Sequence, residues 1–168
     1  MEYMIKIKKS GLKILKIFHL LAVSCWVGGA ASMLLLNIYN SAAVSEGMLY
    51  GVNTASHLID YWIIVIFGAS GCIITGIIYG VFTAWGFFKH KWIIAKWAIV
   101  CAALISATAF LGPAVESMLE FSRTLGTNAL YSEVYLAVKA SHLQWSILQV
   151  AMYIGLIILS VVKPWGKR

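Results

Sequence analysis

Charged residues are scarce in this sequence, and acidic residues are scarcer than basic ones. Asp, Glu, Lys and Arg together make up 11% of the 168 residues, hydrophobic residues make up 61%, and the mean hydropathy is +0.87. A water-soluble domain carries about 25% charged residues, so this composition excludes one. The sequence predicts an integral membrane protein, so the lipid bilayer is its expected partner.

Several catalytic and structural signatures are lacking as well. The sequence holds no Ser/His/Asp arrangement, no phosphate-binding loop and no pair of carboxylates within an apolar stretch. Hydrolysis and phosphoryl transfer are therefore disfavoured. A disulfide is also disfavoured, because Cys25, Cys72 and Cys101 all lie within apolar stretches rather than in the connections between them.

Four apolar stretches are each close to the ~20 residues that a helix needs to cross the hydrocarbon layer. They cover residues 17–37, 61–84, 92–111 and 143–162. We expect the first to remain in the mature protein, because it is too long for a cleaved secretory signal and lacks a small-residue cleavage site. The short connection after the second span favours antiparallel neighbours. The sequence thus predicts one all-α domain over residues 1–168, an antiparallel bundle of four transmembrane helices.

Basic residues collect on one side of the predicted bundle. With the amino terminus in the cytoplasm, the outer side holds only Arg123 and Lys139 of the 13 basic residues. The positive-inside rule therefore predicts that both termini are cytoplasmic. The net charge of +7 reflects this distribution, so a nucleic-acid partner is not expected.

The two outer connections, residues 38–56 and 112–141, carry helical periodicity. Gly112 and Pro113 are expected to end the third span, and the apolar residues that follow predict a short amphipathic helix. We therefore expect short extra helices in the outer connections. Within the second span, small residues recur every four positions and favour close helix packing; they are Gly68, Cys72, Gly76 and Gly80.

The outer pair of histidines is the first candidate site. His57 and His142 lie at the outer ends of the second and fourth spans, which are diagonal in the bundle at roughly 11–14 Å. This spacing suits an iron atom between two imidazoles, so haem b is the predicted cofactor and these histidines are its predicted axial ligands. Tyr61 and Gln149 share the same helix faces and are predicted to line the site. The alternative is that both histidines bond to loops.

A second candidate site lies at the inner end of the predicted bundle. His19 and Lys96 lie at comparable depths, and a lysine within a membrane usually meets an anionic partner. We expect them to form one site, with His19 as the ligand of a second haem iron or as part of a porphyrin or quinone pocket. The alternative is that His19 is a polar packing group. His90 lies between two lysines and is expected to be an ordinary interface residue.

The cysteines allow a different hypothesis. Cys25, Cys72 and Cys101 fall near the middle of three spans, where thiolates at one depth could bind Cu(I). Buried cysteine also behaves as a small hydrophobic residue, and two of the three belong to small-residue stripes. Copper handling remains an alternative function, as does a non-catalytic structural or assembly role.

Two short motifs resemble those of a known group of proteins. The pattern K-x-x-H-x-x-A-x-x-x-W-x-G-G, formed by Lys16, His19, Ala22, Trp26, Gly28 and Gly29, resembles the first helix of small bacterial membrane proteins. This group includes HemJ-type protoporphyrinogen oxidases, CopD-type copper resistance proteins and uncharacterised four-helix relatives. Trp92 and Lys96 are similar to the W-x-H-x-K signature of HemJ, with Ile94 at the position of its histidine.

The resemblance implies a functional centre at the first and third helices. By it, His19 and Lys96 belong to that centre, a haem is bound, the substrate is a porphyrin, and the protein lies in a bacterial inner membrane. Trp26 of the first motif is predicted to contact the cofactor. We therefore predict a multi-pass, haem b-binding protein that transfers electrons to or from quinone or porphyrin. Whether it is an electron carrier or an enzyme is left open, and a homodimer is compatible with the sequence.

Overall fold

Four long helices make up the fold. The computed structural model describes residues 7–40, 45–83 and 86–165. Over these residues it contains no β-strand, and four helices are long and apolar enough to cross a membrane; they are α1 (Lys9–Asn40), α2 (Glu46–Phe82), α3 (Lys91–Tyr131) and α4 (Glu133–Val162). The prediction of four apolar helices is confirmed. Lys6, Ala84, Lys167 and Arg168, which also entered the predicted spans and topology, lie outside the described residues.

Over the described residues, the α-helical segments of the outer connections are joined to the long helices, which corrects our expectation, and α3 ends in a short 3₁₀-helix, Gly126–Tyr131. The segment Glu46–Leu58 is the first part of α2 and leads into a stretch of wider π-helical turns. The segment Gly112–Leu125 belongs to α3 and follows another such stretch. Pro113 does not end α3, because the π-helical turn Ala107–Leu111 precedes it and places it in the first turn of the next α-helical segment. Proline is tolerated there since its missing N–H leaves no helical hydrogen bond unmade.

Local capping explains where α2 and α4 begin. The side chain of Ser45 accepts a hydrogen bond from the backbone N–H of Met48, and Ser132 does the same for Tyr135. Serine is among the preferred residues at this position because its oxygen satisfies an N–H that has no partner within the helix. Ser132 therefore starts α4 directly after α3 ends at Tyr131.

Neighbouring helices in the bundle are antiparallel. The start of α1 meets the end of α2 at His19 and Thr75, and the end of α1 meets the start of α4 at Asn37 and His142. We call the end where α1 begins and α4 ends the lysine-rich end; it carries Lys8, Lys9, Lys13, Lys16, Lys89, Lys91, Lys96 and Lys163. The other end is called the opposite end.

The helices α1 and α2 approach each other closely at the predicted small-residue stripe. A Cβ atom added to Gly68 would lie 2.8 Å from the backbone nitrogen, Cα and Cβ of Trp26. A Cβ added to Gly71 would lie 2.8 Å from the Cβ of Ala22. Small residues permit this close backbone packing, which is a common device of membrane helices.

The bundle is tighter at the opposite end than at the lysine-rich end. At the opposite end Glu46–Leu58 of α2 packs against Gly112–Leu125 of α3. At the lysine-rich end the segment Lys91–Ser106 of α3 packs chiefly against α4. The second half of α2 and the first half of α3 are therefore spread apart, and a cavity lies between them.

Candidate ligand-binding cavity

The cavity at the lysine-rich end has a volume of about 500 Å³ and is bordered by all four helices. Sites for small molecules and cofactors typically measure about 300–1,000 Å³ and are lined by aromatic and apolar side chains with a few polar groups. The aromatic residues that line this cavity are Trp26, Tyr79, Trp92, Trp97 and Tyr153. Its size and lining are those of a ligand site, and we call it the large cavity.

The imidazole of His19 lines the large cavity in a defined orientation. Its Nδ1 lies 2.7 Å from Oγ1 of Thr75 on α2. The Thr75 hydroxyl donates its one hydrogen to the carbonyl oxygen of Gly71, so its oxygen accepts a hydrogen bond from Nδ1–H of His19. The ring of Tyr79 packs nearly perpendicular to the imidazole, with 5.7 Å between the ring centroids. His19 therefore carries its proton on Nδ1 and keeps a lone pair on Nε2.

This arrangement around His19 is the one found at metal-binding histidines. Such residues usually donate the hydrogen of their other ring nitrogen to a fixed acceptor, which sets the tautomer and the orientation of the ring. In this protein Thr75 is the acceptor. The Nε2 atom of His19 is thus suited to bind a metal ion or to accept a proton.

Positively charged side chains border the same cavity. Lys96 of α3 and Lys163, directly after α4, each place Nζ 5.9 Å from the ring centroid of Trp92. Lys16 of α1 also lines the cavity. Over the described part of the chain, no Asp or Glu is among the lining residues. A low-dielectric cavity with this charge favours a ligand that carries negative charge.

The buried face of α4 is polar from Tyr135 to Tyr153. Its buried residues follow one another at spacings of three and four and so form one stripe along the helix; they are Tyr135, Lys139, His142, Ser146, Gln149 and Tyr153. Polar groups in membrane helices face the bundle interior, where they form hydrogen bonds with other helices. Among the described residues, the fourth helix therefore supplies more buried polar residues than any of the other three helices.

His142 lies within this stripe and is 2% exposed. Its Nδ1 lies 2.8 Å from Nδ2 of Asn37, and the same amide nitrogen lies 3.4 Å from the carbonyl oxygen of Lys139. A carbonyl oxygen only accepts, so the Asn37 amide donates to both atoms. The lone pair on Nδ1 of His142 is thus engaged in a hydrogen bond, and its proton lies on Nε2.

Gln149 connects α4 with α3 further along the stripe. Its Oε1 accepts a hydrogen bond of 2.6 Å from Ser106, and its Nε2 donates to the carbonyl oxygen of Ala103 at 3.1 Å. The same nitrogen donates to the hydroxyl oxygen of Tyr153 at 2.6 Å. The Tyr153 oxygen is therefore an acceptor in this bond, and its own hydrogen is not used by Gln149.

A second, small cavity of about 20 Å³ lies deeper in the bundle. It is lined by Asp60 of α2 and by four polar residues of α4; these are His142, Ser146, Gln149 and Tyr153. Its volume is close to that of a single water molecule. Tyr153 lines the large cavity as well, so the two cavities share this residue.

Five of the residues predicted from the sequence line one or other cavity. His19, Lys96 and Trp26 come together in the large cavity, although they lie on two different helices. His142 and Gln149 line the small cavity. The structure thus brings together the residues of the predicted inner site, with Trp26 beside them.

The other two predicted residues, His57 and Tyr61, line neither cavity. His57 is half-buried, near Asp60, with which it interacts electrostatically. Tyr61 is 50% exposed and packs edge-on against Trp62. The axial pairing of His57 with His142 stays a prediction, and the two histidines do not share a cavity.

Metal ligands are not clustered in the described part of the chain. Over those residues no group of three or more His, Cys, Asp or Glu side chains could hold a metal ion. Cys72 is buried and lines the large cavity, Cys25 is half-buried, and Cys101 is exposed. The copper alternative, which needs thiolates at one place, gains no support from this arrangement.

Sequence reasoning missed the partners of His19 and His142. Thr75 and Asn37 each lie within an apolar span, and neither belongs to a recognisable motif. Asn37 carried one signal that could have been used, because an asparagine inside a membrane helix needs a hydrogen-bond partner. Thr75 shares one face of the second span with Gly68, but this face did not indicate His19 as its partner, since a threonine hydroxyl can bond to its own helix.

Comparisons with protein-family models, with curated proteins and with solved structures found no match for this chain.

Proposed function

We propose that this protein binds haem b in the large cavity and takes part in redox chemistry at a membrane, with quinone or porphyrin as the partner. The observation that carries the proposal is the imidazole of His19, which lines a ligand-sized cavity with its Nδ1–H bound to Thr75 and its Nε2 lone pair available. A histidine in this state suits the axial position of a haem iron.

The rest of the large cavity fits the haem ring and its two carboxylates. Trp26 and Trp92 offer apolar, flat surfaces for a macrocycle, and Lys16 and Lys96 suit the carboxylates. Because no acidic residue of the described chain lines the cavity, these lysines meet no competing carboxylate there. This combination of a flat apolar ring and two negative charges matches the lining better than a neutral lipid does.

A bound haem would supply one-electron transfer between its ferric and ferrous states. The chain's own part is to hold and orient the ring. His19 would bind the iron, Thr75 and Tyr79 fix the plane of the imidazole, and the lysines would bind the carboxylates of the haem. The tryptophans exclude water from the ring.

An iron-free porphyrin is the second candidate ligand. It shares the ring and carboxylates of haem, and Lys96 together with Trp92 is the part of the cavity that resembles the HemJ signature. The two ligands differ in their need for His19, because only haem has an iron atom to bind. This difference makes them separable by experiment.

The test is a pair of titrations of the purified protein in detergent, one with haemin and one with metal-free protoporphyrin. Both are followed by quenching of tryptophan fluorescence. His19→Ala should weaken haemin binding by about tenfold or more and leave protoporphyrin binding nearly unchanged, because only an iron ligand is lost. Lys96→Gln should weaken both ligands, because both carry the carboxylates.

His90→Ala is the matched control for these titrations. His90 lies at the same end of the bundle and stacks on Trp92, but it does not line the large cavity. We expect wild-type affinity for both ligands. Equal haemin affinity in the wild type and in His19→Ala would refute His19 as the ligand, and absence of binding of either ligand to the wild type would refute the proposed function.

We also propose that the lysine-rich end faces the cytoplasm at a bacterial inner membrane. The distribution of basic residues supports this, since the opposite end of the described chain carries Glu46, Asp60, Glu116, Glu120 and Glu133 with only two basic residues. A green fluorescent protein fused to the carboxyl terminus should be fluorescent in bacterial cells, and alkaline phosphatase fused there should be inactive. The reverse pair of results would contradict this orientation.

A further inference from the structure

The small cavity holds a carboxylate for which the proposed function has no use. Asp60 lies on the π-helical stretch Ile59–Ala69 of α2, immediately before the predicted second span. Its carboxylate accepts no hydrogen bond from the residues that the structure describes, while His57 and the exposed Glu116 interact with it electrostatically. A carboxylate in this position needs a proton or a water molecule as its partner.

The walls of the small cavity are built differently from the rest of the bundle. Asp60 and Ile64 come from the π-helical stretch of α2, and Ala107 and Leu111 come from that of α3. Two independent π-helical stretches thus meet at one cavity. Such turns are rare and are found frequently at functional sites, because the wider turn re-aims side chains. The cavity has the volume for one water molecule, and five of its lining residues are polar.

We propose that Asp60, a water molecule in the small cavity and Tyr153 form a proton path between the opposite end of the bundle and the large cavity. The path goes beyond ligand binding, because it gives the large cavity a supply of protons from the side away from the lysine-rich end. It depends on Tyr153 lining both cavities and on Asp60, which is half-buried, lining the small cavity.

Each transfer along the path exchanges one O–H bond for another. The Asp60 carboxyl gives its proton to the water molecule, which passes a proton to the hydroxyl oxygen of Tyr153. Tyr153 releases its own hydroxyl proton into the large cavity, to water or to a ligand there. The Tyr153 oxygen has a second lone pair for the incoming proton, because Gln149 uses only one. Asp60 then takes a proton from water at the opposite end, so no oxidant or other reactant is needed.

His142 and Ser146 also face the water position. His142 does not relay protons in this path, because Asn37 binds its Nδ1. Its role is to hold the water through its remaining ring N–H. The residues that exchange protons are thus limited to Asp60 and Tyr153, and each can be removed by a substitution of nearly equal size.

The test is proton flux into lipid vesicles that contain the purified, ligand-free protein and a trapped pH dye. Valinomycin with a potassium gradient supplies the driving potential. Wild-type vesicles should acidify faster than protein-free vesicles, and Asp60→Asn and Tyr153→Phe should each lose this excess rate. Because no haem is present, the result does not depend on the proposed function.

Two matched variants control for general effects of the substitutions. Glu120→Gln changes an exposed carboxylate at the same end, and Tyr50→Phe changes a tyrosine that is 44% exposed. Neither lines a cavity, and both should keep the wild-type rate. Circular dichroism of each variant confirms that it is folded. A wild-type rate equal to that of protein-free vesicles, or an undiminished rate in folded Asp60→Asn or Tyr153→Phe, would overturn the proposal.

Discussion

The Nδ1 atom of His19 lies 2.7 Å from Oγ1 of Thr75, although 56 residues separate the two along the chain. The bond joins the start of α1 to the end of α2 beside the large cavity. It also decides the tautomer of the imidazole, because the threonine hydrogen is already donated to Gly71. The proposed function and the first prediction both depend on this pair.

Replacing Thr75 by valine should weaken haem binding. Valine has the shape of threonine but cannot accept the hydrogen bond from His19, so the imidazole loses its fixed orientation. Removal of such a partner typically lowers metal affinity by about 10–100-fold. The measurement is a haemin titration followed by the Soret absorption band.

Thr54→Val is the control for this substitution. The hydroxyl of Thr54 bonds only to the carbonyl oxygen of Tyr50 on its own helix, and the residue lines neither cavity. Its haemin affinity should equal that of the wild type. If Thr75→Val also binds haemin with wild-type affinity, Thr75 does not orient an iron ligand.

Replacing Gly68 by alanine should destabilise the bundle. The new Cβ would lie 2.8 Å from three atoms of Trp26, two of which belong to the backbone, so α1 and α2 must move apart. Overpacking of this kind costs about 1–3 kcal/mol. Thermal unfolding in detergent, followed by circular dichroism, should show a lower midpoint temperature.

Gly28 offers the matched control on the neighbouring helix. A Cβ added there meets no atom within 4 Å, so Gly28→Ala introduces no contact. Alanine also favours the helix over glycine, by about 1 kcal/mol in water. We expect an unchanged or higher midpoint. A loss of stability in Gly28→Ala as large as that in Gly68→Ala would contradict the close packing described at Gly68.

Replacing Asn37 by alanine should destabilise the protein through His142. The buried Nδ1 of His142 would lose the donor that lies 2.8 Å away and keep only the hydroxyl of Ser146, 3.4 Å away. Complete loss of the bond to a buried polar group costs about 1–3 kcal/mol, so we expect a destabilisation within or below this range. Unfolding by a denaturing detergent measures the change. Ser24→Ala is the control, because Ser24 is exposed and bonds only to its own helix. Equal stability of the two variants would show that the Asn37–His142 bond contributes little.

The number of helices could be predicted from the sequence, but their extents could not. Hydropathy identifies spans because every backbone group in lipid must be bonded within a helix. The sequence predicts that Pro113 ends the third span, and α3 instead continues through it after a π-helical turn. Such a turn depends on packing against α4 and leaves no pattern in the sequence.

The sequence indicated how far along each helix the candidate residues lie, but not the direction in which their side chains point. His19 and Lys96 could be matched because position along a helix gives depth directly, at ~1.5 Å per residue. The pairing of His57 with His142 required both side chains to point inward, and only His142 lines a cavity. Helix rotation follows from contacts such as Gly68 with Trp26, which a hydropathy pattern does not contain.

The most direct test of the haem proposal is the visible spectrum of protein purified from cells supplied with a haem precursor, recorded oxidised and reduced. The proposal predicts a Soret band in the wild type, in His57→Ala and in His142→Ala, and its loss in His19→Ala. Colourless wild-type protein, or a band that survives in His19→Ala and disappears in His57→Ala or His142→Ala, would contradict haem binding at His19.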